Sequence, residues 1–241
     1  MKRDKQMKDL ELRKKERDDE ENKIEGKLRC MLIDLQNNST PFSYSLSGIK
    51  LGNSRCKTLA ENVARNNSLL SLHLARKGID DATGEYLARM LFTNRTLRKL
   101  ELEGNHLGKL SAVSFSKALN INPTLKYLDL ESNQLTMDNE NEGVGGVHEL
   151  MNSLRNNKTL LSLNLANNSM TKVYGETMRK VLDENFTLID FDFSMNEFDL
   201  EDSREIQEKL KRNKATYDED RLREWRERKF MRTEDENLKM L

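Results

Sequence analysis

The apolar positions of this chain recur in a fixed phrase, L-x-x-L-x-L-x-x-N-x-L. Leu97, Leu100, Leu102, Asn105 and Leu107 fill it, and Leu125, Leu128, Leu130, Asn133 and Leu135 fill it again. Leu160, Leu163, Leu165, Asn168 and Met170 form a third copy, and Leu188, Phe191, Phe193, Asn196 and Phe198 a fourth. Two weaker copies lie upstream. Leu69, Leu72, Leu74 and Ile79 keep the apolar positions but place Lys77 at the asparagine, while Tyr44, Leu46 and Leu51 keep three, with Ile49 there instead. The copies start at 41, 69, 97, 125, 160 and 188, so every step is 28 residues except one of 35, which holds an insertion around "MDNENEGVGG". A constant period of this length is the mark of a stacked-repeat architecture.

A second pattern runs in the same register. Leu59/Val63, Leu87/Leu91, Phe115/Leu119, Leu150/Leu154, Met178/Leu182 and Ile206/Leu210 are apolar pairs four residues apart, a spacing that puts both members on one face of a helix. Three residues beyond each pair stands an asparagine: Asn66, Asn94, Asn122, Asn157, Asn185 and Asn213. Asparagine tolerates the left-handed conformation that ends a helix, and these positions are expected to do so. Met31, Leu35 and Asn38 repeat the pattern once more without a strand before them. Each unit is therefore expected to be a short strand, a turn and a helix. The turn asparagines are expected to satisfy buried backbone groups, with the first two turns looser or closed by the N-terminal helix.

On these motifs, residues 24–213 resemble the leucine-rich repeat of the ribonuclease-inhibitor type. The resemblance implies an α/β solenoid with a parallel β-sheet on the concave face and helices on the convex face. The family includes Ran GTPase-activating proteins, tropomodulins and leucine-rich-repeat subunits of ciliary axonemes, and it shares a scaffold rather than one activity. The expected organisation is a charged arm over 1–22, a capping helix over 23–40, the solenoid over 41–213 and a helical extension over 214–241.

In such a strand, the residues between the leucines point to the open face. They are Ser43, Ser45 and Ser47; Ser71, His73 and Ala75; Lys99, Glu101 and Glu103; Tyr127, Asp129 and Glu131; Ser162, Asn164 and Ala166; Asp190, Asp192 and Ser194. Carboxylates about 5 Å apart on neighbouring strands repel one another. The candidate partner-binding face is accordingly Lys99, Glu101, Glu103, Tyr127, Asp129, Glu131, Asp190 and Asp192, with a basic protein segment as the complementary ligand.

Charge sharpens the ends of the chain. Residues 1–22 carry sixteen charged side chains, eight of each sign, which suits an exposed helix or a disordered arm. Ile24, Leu28, Met31, Leu32 and Leu35 then make a one-sided stripe expected to cap the open end of the repeats. At the other end, a unit starting at Thr216 would put Glu219 and Arg221 at core positions, so the array is expected to stop at Asn213. Beyond it a separate helix is expected, opening near Asp218, Glu219 and Asp220. Its first turns near Tyr217 would pack locally, and Leu222, Trp225 and Phe230 would reach a partner.

Composition excludes more than it identifies. Lys+Arg and Asp+Glu both number 41 in 241 residues, so the balance is not that of a dedicated nucleic-acid binder. No transmembrane helix and no export signal are expected. Cys30 and Cys56 are too few for a disulfide framework, which points to a reducing intracellular compartment. His73, His106 and His148 fall at unrelated repeat positions, so no catalytic site, no metal cluster and no cofactor is expected. "EGVGG" at 142–146 lacks the Lys-Ser/Thr of a phosphate loop and is expected to be a flexible inserted loop. Four of the N-x-Ser/Thr sites, at Asn66, Asn94, Asn157 and Asn185, coincide with the periodic asparagines and are expected to be structural.

The expectation is a non-enzymatic protein-protein scaffold, cytoplasmic and cytoskeletal. The resemblance to axonemal proteins implies a subunit of a large complex such as a ciliary axoneme, with neither nucleic acid nor membrane as partner. The alternatives are a tropomodulin-like actin regulator and a soluble regulator of a GTPase or signalling complex.

Overall fold

The structure is a computed structural model that describes residues 2–46, 51–136 and 145–238, with side chains described between 13 and 228 apart from 17, 20–22 and 24. Its elements alternate: α1 (Lys2–Gln36), β1 (Ser43–Ser45), α2 (Asn53–Arg65), β2 (Ser71–His73), α3 (Asp81–Thr93), β3 (Lys99–Glu101), α4 (Lys109–Ile121), β4 (Tyr127–Asp129), α5 (Gly146–Ser153), β5 (Ser162–Asn164), α6 (Lys172–Glu184), β6 (Asp190–Asp192) and α7 (Leu200–Leu238). The strands lie side by side in chain order and all pair in parallel. The register advances one repeat per strand, so Tyr44, Leu72, Leu100, Leu128, Leu163 and Phe191 form one row.

That row and its companions fill the space between sheet and helices. Leu97, Leu100, Leu102 and Leu107 are fully buried, as are Leu59, Leu87, Phe115, Leu150, Met178 and Ile206 from the helix side. Burying one leucine side chain contributes roughly 2 kcal/mol, and no single unit has enough of them to stand alone. The helix ends are also tied between units. Asp81, in the first turn of α3, accepts from the backbone N–H groups of Gly108 (2.7 Å) and Ser111 (2.9 Å), so its carboxylate caps the next helix, α4.

Asn38, just past α1, is left-handed as expected (φ 53°), but the asparagines of the following units act differently. Asn66, Asn94, Asn122 and Asn185 do end helices, but in extended conformation, with φ between −65° and −95°. Their side chains do the holding. Asn94 Nδ2 donates to the carbonyls of Val63 (2.7 Å) and Asn66 (3.0 Å) in the preceding unit, while Oδ1 accepts from Thr96 N–H (2.9 Å) and Leu97 N–H (2.7 Å). A left-handed residue sits instead in the turn after each of β2 to β6: Arg76 (φ 57°), Gly104 (66°), Ser132 (52°), Asn167 (53°) and Met195 (57°) occupy one repeat position.

A second asparagine ladder follows that turn. Asn105 Nδ2 donates to Leu74 O (3.0 Å) and Leu102 O (2.8 Å), and its Oδ1 accepts from Lys77 N–H (2.8 Å) and Ile79 N–H (3.1 Å). The second unit's turn, which has lysine in place of asparagine, is thus closed by the asparagine of the following unit rather than by the N-terminal helix. Across the long step only half of the ladder is seen: Asn168 Nδ2 still donates to Leu130 O (2.9 Å), but its buried Oδ1 has no hydrogen-bond partner among the described residues.

Three boundaries differ from expectation. α1 is one continuous helix, so no break separates the charged arm from the capping segment. Leu28, Met31 and Leu35 seat its last turns in the core, while the Ile24 side chain lies outside the described residues. At the other end α7 runs unbroken through Asn213 and Asp218, joining the last repeat helix to the extension. Nothing between 211 and 222 (KRNKATYDEDRL) is glycine or proline, so no residue there breaks a helix. Finally, Gly146 is not loop but the first residue of α5, and a Cβ on it would stand 2.3 Å from Lys109 O. This glycine lets α5 approach α4. The insertion at 137–144 lies outside the described residues.

Candidate interaction face

A parallel sheet is ordinarily covered on both faces. Here helices cover one face, and the strand residues that point the other way are polar and partly or fully exposed. The register sets them in columns: Ser43, Ser71, Lys99, Tyr127, Ser162 and Asp190; then Ser45, His73, Glu101, Asp129, Asn164 and Asp192. Every strand residue proposed from the sequence therefore shares one surface. Glu103 and Glu131 continue it just past β3 and β4.

The face divides into two halves. On β2 and β3 the carboxylates are neutralised within the protein. Glu101 bonds Lys99 Nζ at 2.5 Å and also His73 Nδ1. Burial pushes its carboxyl up, but the hydrogen bonds and charges of Lys99 and His73 outweigh this and hold it below the ordinary value. Glu103 pairs with Arg76 at 2.7 Å. Arg76, the left-handed turn residue, is a charge on this face that the sequence did not signal. It comes from a turn one repeat away, and only the fold brings the two together.

On β4 to β6 the acids have only neutral partners. Asp129 Oδ1 accepts from Glu131 N–H (3.0 Å), Glu131 from Asn164 Nδ2 (3.0 Å), Asp190 from Ser162 Oγ (2.7 Å) and Asp192 from Ser194 N–H (2.9 Å). None of the four has an ion pair among the described residues. Burial pushes the Asp129 carboxyl up, and Glu131, Glu103 and Glu101 push it further against the backbone bond that lowers it. Tyr127 stands in this half with 44% of its surface exposed.

His73 makes one further arrangement. Nδ1–H donates to Glu101, and Nε2 stands 2.8 Å from Ser43 Oγ and 3.0 Å from Ser71 Oγ, accepting from them in the neutral ring and donating to them in the charged one. Serine, histidine and carboxylate are the residue types of a nucleophilic triad. Here two hydroxyls share one nitrogen on an open strand face, and the grooves of about 460 and 600 Å³ found elsewhere have no His73 or Glu101 in their walls. His106 lies in a turn and His148 on α5, beside Thr177.

At the C-terminal end, Phe191, Phe193 and Phe198 cluster with ring centroids 4.9–6.5 Å apart. α7 is stapled to α6 by Arg179–Asp202 (2.8 Å) and Lys209–Asp183 (2.7 Å), and Asn213 Nδ2 donates to Asn185 O (3.0 Å). Beyond Asn213, Tyr217 is half-buried and residues 218–228 are all exposed, Leu222 and Trp225 among them. The Phe230 side chain lies outside the described residues. The structure thus separates the sequence-derived candidates into a strand face and a helical tail.

A family model described as "Leucine Rich repeat" matches residues 93–116 and 122–137. With six parallel strands stepping one repeat at a time, this decides the architecture. The fold is a leucine-rich-repeat solenoid. Comparison with curated proteins returns no match. Among solved structures, the solenoid is similar to leiomodin-1 actin-binding site 2, at 20% identity and a TM-score of 0.54, over 81% of this chain and 94% of that one. It is also similar to the tropomodulin C-terminal domain of Caenorhabditis elegans, at 17% identity and a TM-score of 0.51, over 82% of this chain and 98% of that one. At such identities the likeness concerns the fold. No helix among the described residues is long and apolar enough to cross a membrane, and they contain no group of three or more His, Cys, Asp or Glu placed to hold a metal ion.

Proposed function

We propose that this solenoid is a non-enzymatic interaction scaffold of a cytoskeletal assembly. Its strand face receives a basic segment of a partner protein, and the α7 tail provides a second contact. The carrying observation is the half-face of Asp129, Glu131, Asp190 and Asp192, none of which forms an ion pair among the described residues, although the charge of Arg76 reaches Glu131, beside the exposed ring of Tyr127. A basic ligand relieves their repulsion and is steered toward them. Glu101 and Glu103 contribute less, since Lys99, His73 and Arg76 already engage them. The test is capture of an arginine-rich peptide by the wild-type chain and by the Asp190→Lys/Asp192→Lys variant. Roughly tenfold weaker capture by the variant is expected, and unchanged capture removes this face from the proposal.

The likeness to an actin-binding site of leiomodin-1 favours actin as the first partner to try. Co-sedimentation with actin filaments tests that reading. A structural subunit of an axoneme is the second reading, carried by the two charged helical ends, which suit a chain spanning neighbouring subunits. Retention in a detergent-extracted pellet, without actin binding, supports it, whereas full extraction points to a soluble regulator.

A further inference from the structure

α1 holds the helix position of a unit whose strand position is vacant. Asn66 Nδ2 donates to Leu35 O at 2.9 Å, the same bond that Asn94 makes to Val63 O, so α1 stands to α2 as α2 stands to α3. By the repeat step, the strand preceding β1 would fall at 15–17, but these residues are inside α1. β1 is consequently the edge of the sheet. Between it and α1 lies a groove of about 600 Å³, walled by Lys23, Gly26, Lys27 and Cys30 on the helix and by Tyr44, Ser45 and Leu46 on the strand side.

We propose that this groove takes an extended acidic segment of a partner protein, added to the sheet as a strand beside β1. An edge strand is a template for such addition. The groove is shaped by the fold's own period for an element the size of the six three-residue strands. Charge selects the occupant. Lys23 and Lys27 are exposed at the groove and have no ion pair among the described residues, whereas Glu25 on the same helix is bound to Arg55, and the one acid acting on the groove's Tyr44, Asp34, already accepts from Ser39 Oγ (3.5 Å). A second copy docked by this end would bring both lysines toward their own counterparts, so an acidic segment is the better complement. Apolar side chains at alternate positions of the segment would lie over Leu46 and Tyr44. This surface is separate from the acidic half of the strand face and selects the opposite charge.

The experiment uses the full chain and a fluorescein-labelled heptapeptide that alternates leucine with glutamate, with a lysine-for-glutamate peptide as comparison. Anisotropy is expected to show saturable binding of the acidic peptide, roughly tenfold or more tighter than the basic one. The acidic peptide should also slow maleimide labelling of Cys30, which is exposed while Cys56 is buried. A Cβ at Gly26 meets nothing within 4 Å, so Gly26→Tyr starts from open space, projects a ring at the groove wall and improves helix propensity. It should weaken the peptide by a similar factor with the unfolding midpoint kept or raised. Lys23→Glu/Lys27→Glu should reverse the peptide preference. Absence of binding, equal affinity for both peptides, or unimpaired binding by Gly26→Tyr overturns the proposal. Concentration-dependent dimerisation that Gly26→Tyr abolishes overturns it in favour of a second copy.

Discussion

The side-chain amide of Asn122 donates to the carbonyl oxygen of Leu91, 31 residues upstream, at 2.7 Å. Its Oδ1 meanwhile accepts from the N–H groups of Thr124 (2.9 Å) and Leu125 (2.8 Å). One buried side chain therefore serves the end of one repeat and the start of the next. Asn122→Ala leaves those groups without their partner at a buried site, where each costs about 1–3 kcal/mol. A loss of about 3 kcal/mol or more is expected in urea unfolding. Asn120→Ala, on the exposed side of the same helix, should change stability by less than ~0.5 kcal/mol.

Asp129 and Glu101 make opposite contributions with pH. The folded Asp129 carboxyl titrates above its unfolded value of about 3.9. Between those two values the folded state holds more protons, so stability falls as pH rises through that window and the full penalty remains at neutral pH. Glu101 is depressed, so its contribution is full above the unfolded value of about 4.3 and is lost as pH falls through the folded one. Asp129→Asn should therefore raise the melting temperature at pH 7 and lose that advantage in acid. The next strand already uses asparagine at this position, and Asn164 Oδ1 accepts the equivalent bond from Ala166 N–H at 2.9 Å. A melting temperature at pH 7 that is unchanged or lower contradicts this account.

Met195 is 79% exposed and has a left-handed backbone. A side chain there costs roughly 1–2 kcal/mol, less the greater flexibility glycine has when unfolded. Met195→Gly should stabilise by about 0.5–1 kcal/mol, a rise of about 2 °C for a chain of this size. Differential scanning fluorimetry would read it.

Two glycines should respond in opposite ways to one methyl group. Gly146→Ala drives a Cβ toward the Lys109 carbonyl and should cost about 1–3 kcal/mol. Gly26→Ala meets open space in a helix and should gain about 0.5–1 kcal/mol. Chemical denaturation of the pair checks both signs.

The contrast between Leu100 and Arg76 explains what could be read in advance. Leu100 belongs to an apolar row that recurs with the period, so its burial, its strand and its register were legible, and with them the columns of the open face. Arg76 shares a backbone conformation with Gly104, Ser132, Asn167 and Met195, five residue types with no common chemistry, so the turn that requires it left no sequence mark. The asparagines were visible as a period, but a side-chain ladder and a left-handed cap leave the same residue type. The division of the acidic face depended on Arg76 reaching Glu103 and on His73 reaching Glu101, contacts that exist only once the strands are stacked. The continuity of α7 was missed because charged core positions mark where stacking ends, not where a helix does.

Because α7 has no joint at Asn213, the tail works as an outrigger of fixed length. At about 1.5 Å of rise per residue, Trp225 rides roughly 18 Å along the axis from Asn213. A partner that grips the tail also fixes the bearing of the whole arc. Torque applied at Trp225 would be delivered through Asn213 to the carbonyls of Asn185 and Leu188, so any load on the tail would fall on the last repeat and not on a linker.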